Sequence, residues 1–209
     1  MKEINQVLER GLFRGLLTLL VSLLMVSCAS IPELQVLYKL PPPSKQLKGR
    51  LVVLTVDDER ASKTVLGKGA KEEFKGFSGN ISLSVANYND KELKVGIFNA
   101  PDLMREAFKR KLENLGVGVL PEKTLGKLEL VIVLKEFSLD VVGREWVAKM
   151  SYEARLTTPK GAVATQFVNG QAERYKLFGR DSADTLMGEI FTDMVNALDL
   201  ARLFKQAGG

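Results

Sequence analysis

The sequence predicts an α/β chain of the α+β kind, folded as a two-layer sandwich in which two amphipathic helices cover a mostly antiparallel sheet. Three observations predict it. β-rich runs bounded by glycine, proline or polar clusters recur from residue 51 to residue 177. Two segments, 101–116 and 182–204, instead space their apolar residues at the helical period. The order strand, hairpin, helix, strands, helix lets both helices bury their apolar stripes on one sheet face. With 209 residues, 45% of them hydrophobic, the chain is long enough for one real core, and no internal repeat marks a second domain.

LVVLTVDD, residues 51–58, is the first predicted core strand and runs into the polar cluster DDERASK. Residues 67–80, GKGAKEEFKGFSGN, read as a mobile glycine-rich loop pinned to the body by Phe74 and Phe77. The phosphate-loop pattern GxxxxGK[ST] is absent there. ISLSVANYND (81–90) alternates, with Ile81, Leu83 and Val85 on one face, and LKVGIF (93–98) follows through a hairpin turn at NDKE.

In PDLMREAFKRKLENLG, Asn99 is placed to cap a helix, Pro101 sits early, and Asp102 lies in the first turn, where a carboxylate suits the dipole. Met104, Phe108, Leu112 and Leu115 form its stripe, with Ala107 beside it, and Gly116 ends it. Arg105, Lys109, Arg110 and Lys111 make the densest basic cluster of the chain, read as a solvated face that could also meet lipid headgroups or an acidic partner.

VGVL (117–120) suits a short edge strand, and the unbroken run Leu130 to Leu134 within 128–142 suits a central strand buried on both faces. WVAKMSYEARLTT (146–158) and AVATQFVNGQAERYKL (162–177), joined by Pro159-Lys160-Gly161, form an antiparallel meander. The final helix, 182–204, has Asp181 or Ser182 as its cap. Leu186, Ile190, Met194 and Leu198 form its stripe, widened by Met187, Phe191 and Val195.

Ahead of the domain, residues 1–14 are mildly cationic and Gly15 to Val26 are almost wholly apolar. Twelve residues make about 18 Å of helix, whereas a spanning helix needs about 20 residues. The run therefore has the size of a signal-peptide core. Met25-Val26-Ser27-Cys28 resembles the lipobox of a bacterial lipoprotein, with Met25 where leucine is usual. The resemblance implies cleavage after Ser27 and lipid attached to Cys28, the sole cysteine. Multiple acyl chains there would hold a soluble domain firmly on a membrane. The expected organisation is a signal peptide over 1–27, a lipid-anchored proline-containing tether over 28–49 and a single periplasmic domain over 50–209. Within the tether, Leu34, Val36 and Tyr38 fall at period two, so a short strand laid on the domain fits as well. By resemblance to the sorting rule of two-membrane bacteria, Ala29 after the cysteine, where aspartate would retain the protein, implies the periplasmic side of the outer membrane.

The absence of histidine removes the usual neutral-pH proton shuttle, and a single cysteine excludes an intrachain disulfide or a multi-cysteine zinc site. No cofactor is expected. Asp57, Asp58 and Glu59 are the best acid–base or cation candidates. Alternation along an extended chain lets only Asp57 and Glu59 share a side, and a solvated turn with Arg60 as counter-ion is the plain reading. Ser62-Lys63 is adjacent, the wrong spacing for a serine–lysine pair. Trp146, Tyr152, Phe167 and Tyr175 read as cross-strand packing, and with the basic residues scattered among acidic ones, no nucleic-acid partner is expected.

VVLTVDDERASK, PDLMREAFKRKLENLGVGV, LELVIVLKEFSLDV and DTLMGEIFTDMVNAL, in that order, resemble the layout of the YajG-like family of small bacterial lipoproteins. The resemblance covers most of the chain beyond the leader but not the stretch 67–80. It implies an outer-membrane lipoprotein and supplies no active-site residues. The expected function is a non-catalytic envelope adaptor or assembly module with a protein partner. The alternatives are an auxiliary lipoprotein of an ABC-type transport system, which calls for an apolar groove between helix and sheet, and a carboxylate hydrolase centred on Asp57 and Glu59.

Overall fold

The longest strand, Leu128–Val142 (β6), is the axis of the molecule. In this computed structural model the described residues are 32–87, 92–121, 126–176 and 180–208, within the unit Pro32–Gly209. The leader, Cys28 and residues 88–91, which include all of the NDKE turn but Glu92, lie outside them.

Around β6 a five-stranded sheet runs in the order β5 (Gly118–Leu120), β2 (Leu51–Asp58), β6, β7 (Glu145–Thr157), β8 (Val163–Tyr175). The expected meander is present: β6/β7 and β7/β8 pair antiparallel over nearly their whole lengths. On the other side β2 pairs parallel with both β5 and β6, so the sheet is mixed. β7 shows how sequence dictates the layers. Trp146, Ala148, Met150, Tyr152, Ala154 and Leu156 are all buried, while Val147, Lys149, Ser151, Glu153 and Arg155 face the other way.

A second, three-stranded sheet joins β1 (Leu34–Lys39), β3 (Ile81–Ala86) and β4 (Glu92–Phe98), with β1 parallel to β3 and β3 antiparallel to β4. Among the described residues the fold therefore includes Leu34–Lys39, ahead of residue 50. Leu34, Val36 and Tyr38 are essentially fully buried, so the period-two pattern belongs to a core strand, the strand reading that the sequence also allowed.

The helices Ala100–Asn114 (α2) and Asp181–Ala197 (α3) share the core with both sheets. Asn99 caps α2 as expected, its Oδ1 accepting from the Asp102 N–H at 2.9 Å. Phe108 meets Tyr152 edge-on at 5.3 Å, and Phe191 of α3 meets both Phe137 and Tyr38 near 6 Å. The last helix differs from expectation at both ends. Its N-cap is Arg180 with no side-chain cap, and it stops at Ala197, after which Leu200–Gln206 (α4) starts anew.

Lys111 explains the break. It was grouped with the solvated basic face of α2, yet it is only 4% exposed. Its Nζ donates to the carbonyls of Val195, Asn196 and Leu198 at 2.8, 3.2 and 2.6 Å, taking the acceptors a continuing helix would have used. Asp199 then caps α4 by accepting from the Arg202 N–H.

Residues 67–80 are not simply loop either. Lys68–Glu73 form a short helix (α1) packed on β6, and Phe74 is buried edge-on to Trp146 at 6.0 Å. A carboxylate from distant β6 makes this turn, since Asp140 Oδ1 accepts from the N–H groups of Gly69 and Ala70 at 2.9 and 3.1 Å. The contact needs glycine. A Cβ at Gly67 would lie 2.2 Å from Asp140 Cγ, and one at Gly69 would lie 2.5 Å from the Val141 carbonyl oxygen.

Candidate functional site

The carboxylates at the end of β2 form no catalytic pair. Asp57 is exposed on the outer face of the sheet. Asp58 accepts from Arg60 Nε and Nη2 at 2.9 and 3.0 Å, a bidentate pair that, with Lys63 beside it, holds its carboxyl down at about 2. Glu59 is exposed and pairs with Lys135, whose hydrogen bond lowers its carboxyl. Neither Asp57 nor Glu59 lines either of the two grooves described below. Among the described residues no three His, Cys, Asp or Glu side chains converge as a metal site requires.

The first groove, about 400 Å³, lies where α3 runs along the free edge of β1. An unpaired edge leaves backbone donors and acceptors without partners. Here a helical stripe at every fourth position supplies them. Asp184 accepts from the Gln35 N–H at 2.9 Å, Thr192 accepts from Lys39 N–H and donates to the Leu37 carbonyl, and Asn196 donates to the Lys39 carbonyl. Gly188 completes the stripe, since a Cβ there would stand 3.1 Å from both N and O of Leu37. Burial pushes the Asp184 carboxyl up to about 6 despite the Gln35 N–H. With Glu92, Asp184, Glu189 and Asp193 against Lys39, the charged part of the lining is acidic.

The second, about 590 Å³, lies under residues 76–80, between the end of β2, α1 and the start of α2. Its apolar wall is Val65, Leu66, Phe74 and Phe77, and its charged groups are Arg60, Lys63 and Lys71, with no carboxylate in the lining. Arg60 is 6% exposed, and among the described residues its Nη1 has no hydrogen-bond partner. A buried N–H left so costs about 1–3 kcal/mol. The sequence offered both halves of this pocket, Arg60 as counter-ion and Phe74 with Phe77 as pins. Nothing in it said that they face each other.

The open face of the five-stranded sheet is a third surface. Its rows include Asp57–Val133–Glu153–Phe167 and Thr55–Val131–Arg155–Thr165. Leu51, Val163 and Phe167 are about half exposed on it, and among the described residues β8 is the last strand on its side of the sheet. Among the described residues no helix is long and apolar enough to cross a membrane.

No family model matches the sequence, and no curated protein matches it. Among solved structures, a Xanthomonas campestris protein of the family model DUF330 is similar with TM-score 0.54 at 15% identity, covering 86% of this chain and 96% of its own. That likeness shows a shared fold. Rare lipoprotein B from Shewanella oneidensis (TM-score 0.40, 7% identity, 76% of this chain and 94% of its own) is more distant. So is a hypothetical protein of Chlamydia trachomatis (TM-score 0.43, 10% identity, 77% and 98%), and neither bears on function.

Proposed function

We propose that this protein is a lipid-anchored, non-catalytic envelope adaptor, tethered through Cys28 on the periplasmic side of an outer membrane and contacting a protein partner. The observation that carries the reading is Met25-Val26-Ser27-Cys28, with the core strand β1 beginning only six residues after the cysteine. Six residues span at most about 20 Å when extended, so the domain would work close to the bilayer surface. The open sheet face supports the adaptor role. It mixes apolar residues with the Glu153–Arg155 ion pair, in the manner of a non-obligate contact surface. The exposure of Asp57 and Glu59, with Glu59 paired to Lys135, disfavours the hydrolase.

Photo-crosslinking in the native envelope tests the adaptor role. A crosslinking residue in place of Phe167 or Val163 is expected to capture one discrete partner, and one in place of Lys205 on α4 is not. No capture at either position, together with turnover of a substrate by the purified protein, would refute the adaptor reading.

A further inference from the structure

We propose that the pocket between Arg60, Lys71 and the Phe74–Phe77 pair binds a small anionic amphiphile, a carboxylate or phosphate group carried on an apolar stem.

The argument starts from the guanidinium. Arg60 presents Nε and Nη2 to Asp58, and this pair accounts for its structural role. Nη1 lies outside that pair, on a side chain more than nine-tenths buried that lines the pocket, with no acceptor among the described residues. Nη1 is itself shielded, so an incoming anionic oxygen becomes its acceptor when the groups covering it shift toward the pocket, and a charge-assisted hydrogen bond to a guanidinium is among the stronger ones. The electrostatics agree. Asp58 offsets only one of the two cations that contact it, Arg60 and Lys63, and Lys71 adds another where the lining has no carboxylate. Asn99 and Ala100 bring the N-terminus of the fifteen-residue α2 to the same pocket, adding its positive dipole end. The opposite wall is apolar. Phe74 and Phe77 stack edge-on at 6.2 Å above Val65 and Leu66, a surface that a bare anion would leave unused. A volume of about 590 Å³ is in the range of small-ligand sites.

The pocket carries its own reporter. Trp146 is the only tryptophan of the chain and touches Phe74 from behind, so occupancy should alter its fluorescence. The site is independent of lipidation at Cys28, so failure of either proposal leaves the other standing.

The test uses the full chain in a non-ionic detergent, titrated with hexyl phosphate, hexanoate, inorganic phosphate and hexanol, read by Trp146 fluorescence and by calorimetry. Hexyl phosphate or hexanoate should bind saturably, with inorganic phosphate and hexanol each at least ten-fold weaker. Arg60→Gln should lose at least ten-fold in affinity. Because that change also frees Asp58, the exposed Lys71→Gln and the conservative Phe77→Leu at the half-buried wall supply further variants, Lys71→Gln keeping the fold and each expected to weaken binding about three-fold or more. Inorganic phosphate binding as tightly as hexyl phosphate would overturn the amphiphile and leave a free-anion site. Equal binding of hexanol, no saturable signal by either method, or unaltered binding by Lys71→Gln and Phe77→Leu together would overturn the site itself.

Discussion

Lys111 is buried and ties α2 to the end of α3, with partners 84 to 87 residues further along the chain. That separation is why sequence alone grouped it with the solvated basic face of α2. Replacing it by methionine leaves three carbonyls at the end of α3 without their donor and should cost about 2–3 kcal/mol in urea unfolding. Burial, opposed by Asp199, pushes the lysine down from 10.5 to about 8. Between pH 8 and 10.5 the unfolded chain then holds a proton that the folded chain has lost. The contribution of Lys111 to stability should accordingly rise with pH across that window, and comparing wild type with Lys111→Met at pH 7.5 and 9.5 checks this. Asp184 behaves in the opposite sense. Its carboxyl is raised to about 6 by burial, so the stability it contributes is complete below pH 3.8 and is lost as pH rises through 6. Asp184→Asn keeps an oxygen for the Gln35 N–H and should be at least as stable as wild type at pH 7.5. It should also show a flatter pH profile between pH 4 and 7, whereas Asp184→Ala should lose stability.

At the scale of elements, strands were legible where alternation was long and turns were marked. β7 and β8 follow the period-two pattern on either side of Pro159-Lys160-Gly161, and α2 follows its stripe and its Asn99 cap. Elements whose hydrogen-bond partners are remote were not legible. α1 depends on Asp140, some seventy residues away, and its glycines read locally as loop signals although they are there for close packing against β6. Gly69→Ala would place its Cβ 2.5 Å from the Val141 carbonyl oxygen and should destabilise by about 1–3 kcal/mol, measured by thermal or urea unfolding. The same substitution at Gly161 tests a different cause, its φ of +83°, and should leave α1 intact as judged by hydrogen exchange of Ala70. β1 was readable both as tether and as strand because Pro41, Pro42 and Pro43 follow it directly. The α3 stripe of Asp184, Gly188, Thr192 and Asn196 decides for the strand.

For the whole molecule, the two-layer plan followed from the order of elements, whereas the division of strands into two sheets did not. That division depends on β1 pairing with β3, a parallel contact between segments some forty-five residues apart. The candidate site was half legible for the same reason: the pocket is assembled from the end of β2, α1 and the start of α2, and only folding brings them together. The proposed role rests on the lipobox-like Met25-Val26-Ser27-Cys28 standing six residues ahead of strand β1 in the sequence. The most direct test is the intact mass and membrane fractionation of the protein expressed in a two-membrane bacterium, beside Cys28→Ala. The account predicts a mature species beginning at Cys28, heavier by a diacylglyceryl and an acyl group and found in the outer membrane, with Cys28→Ala unprocessed and unlipidated. An unmodified wild-type chain that retains residues 1–27 would contradict it.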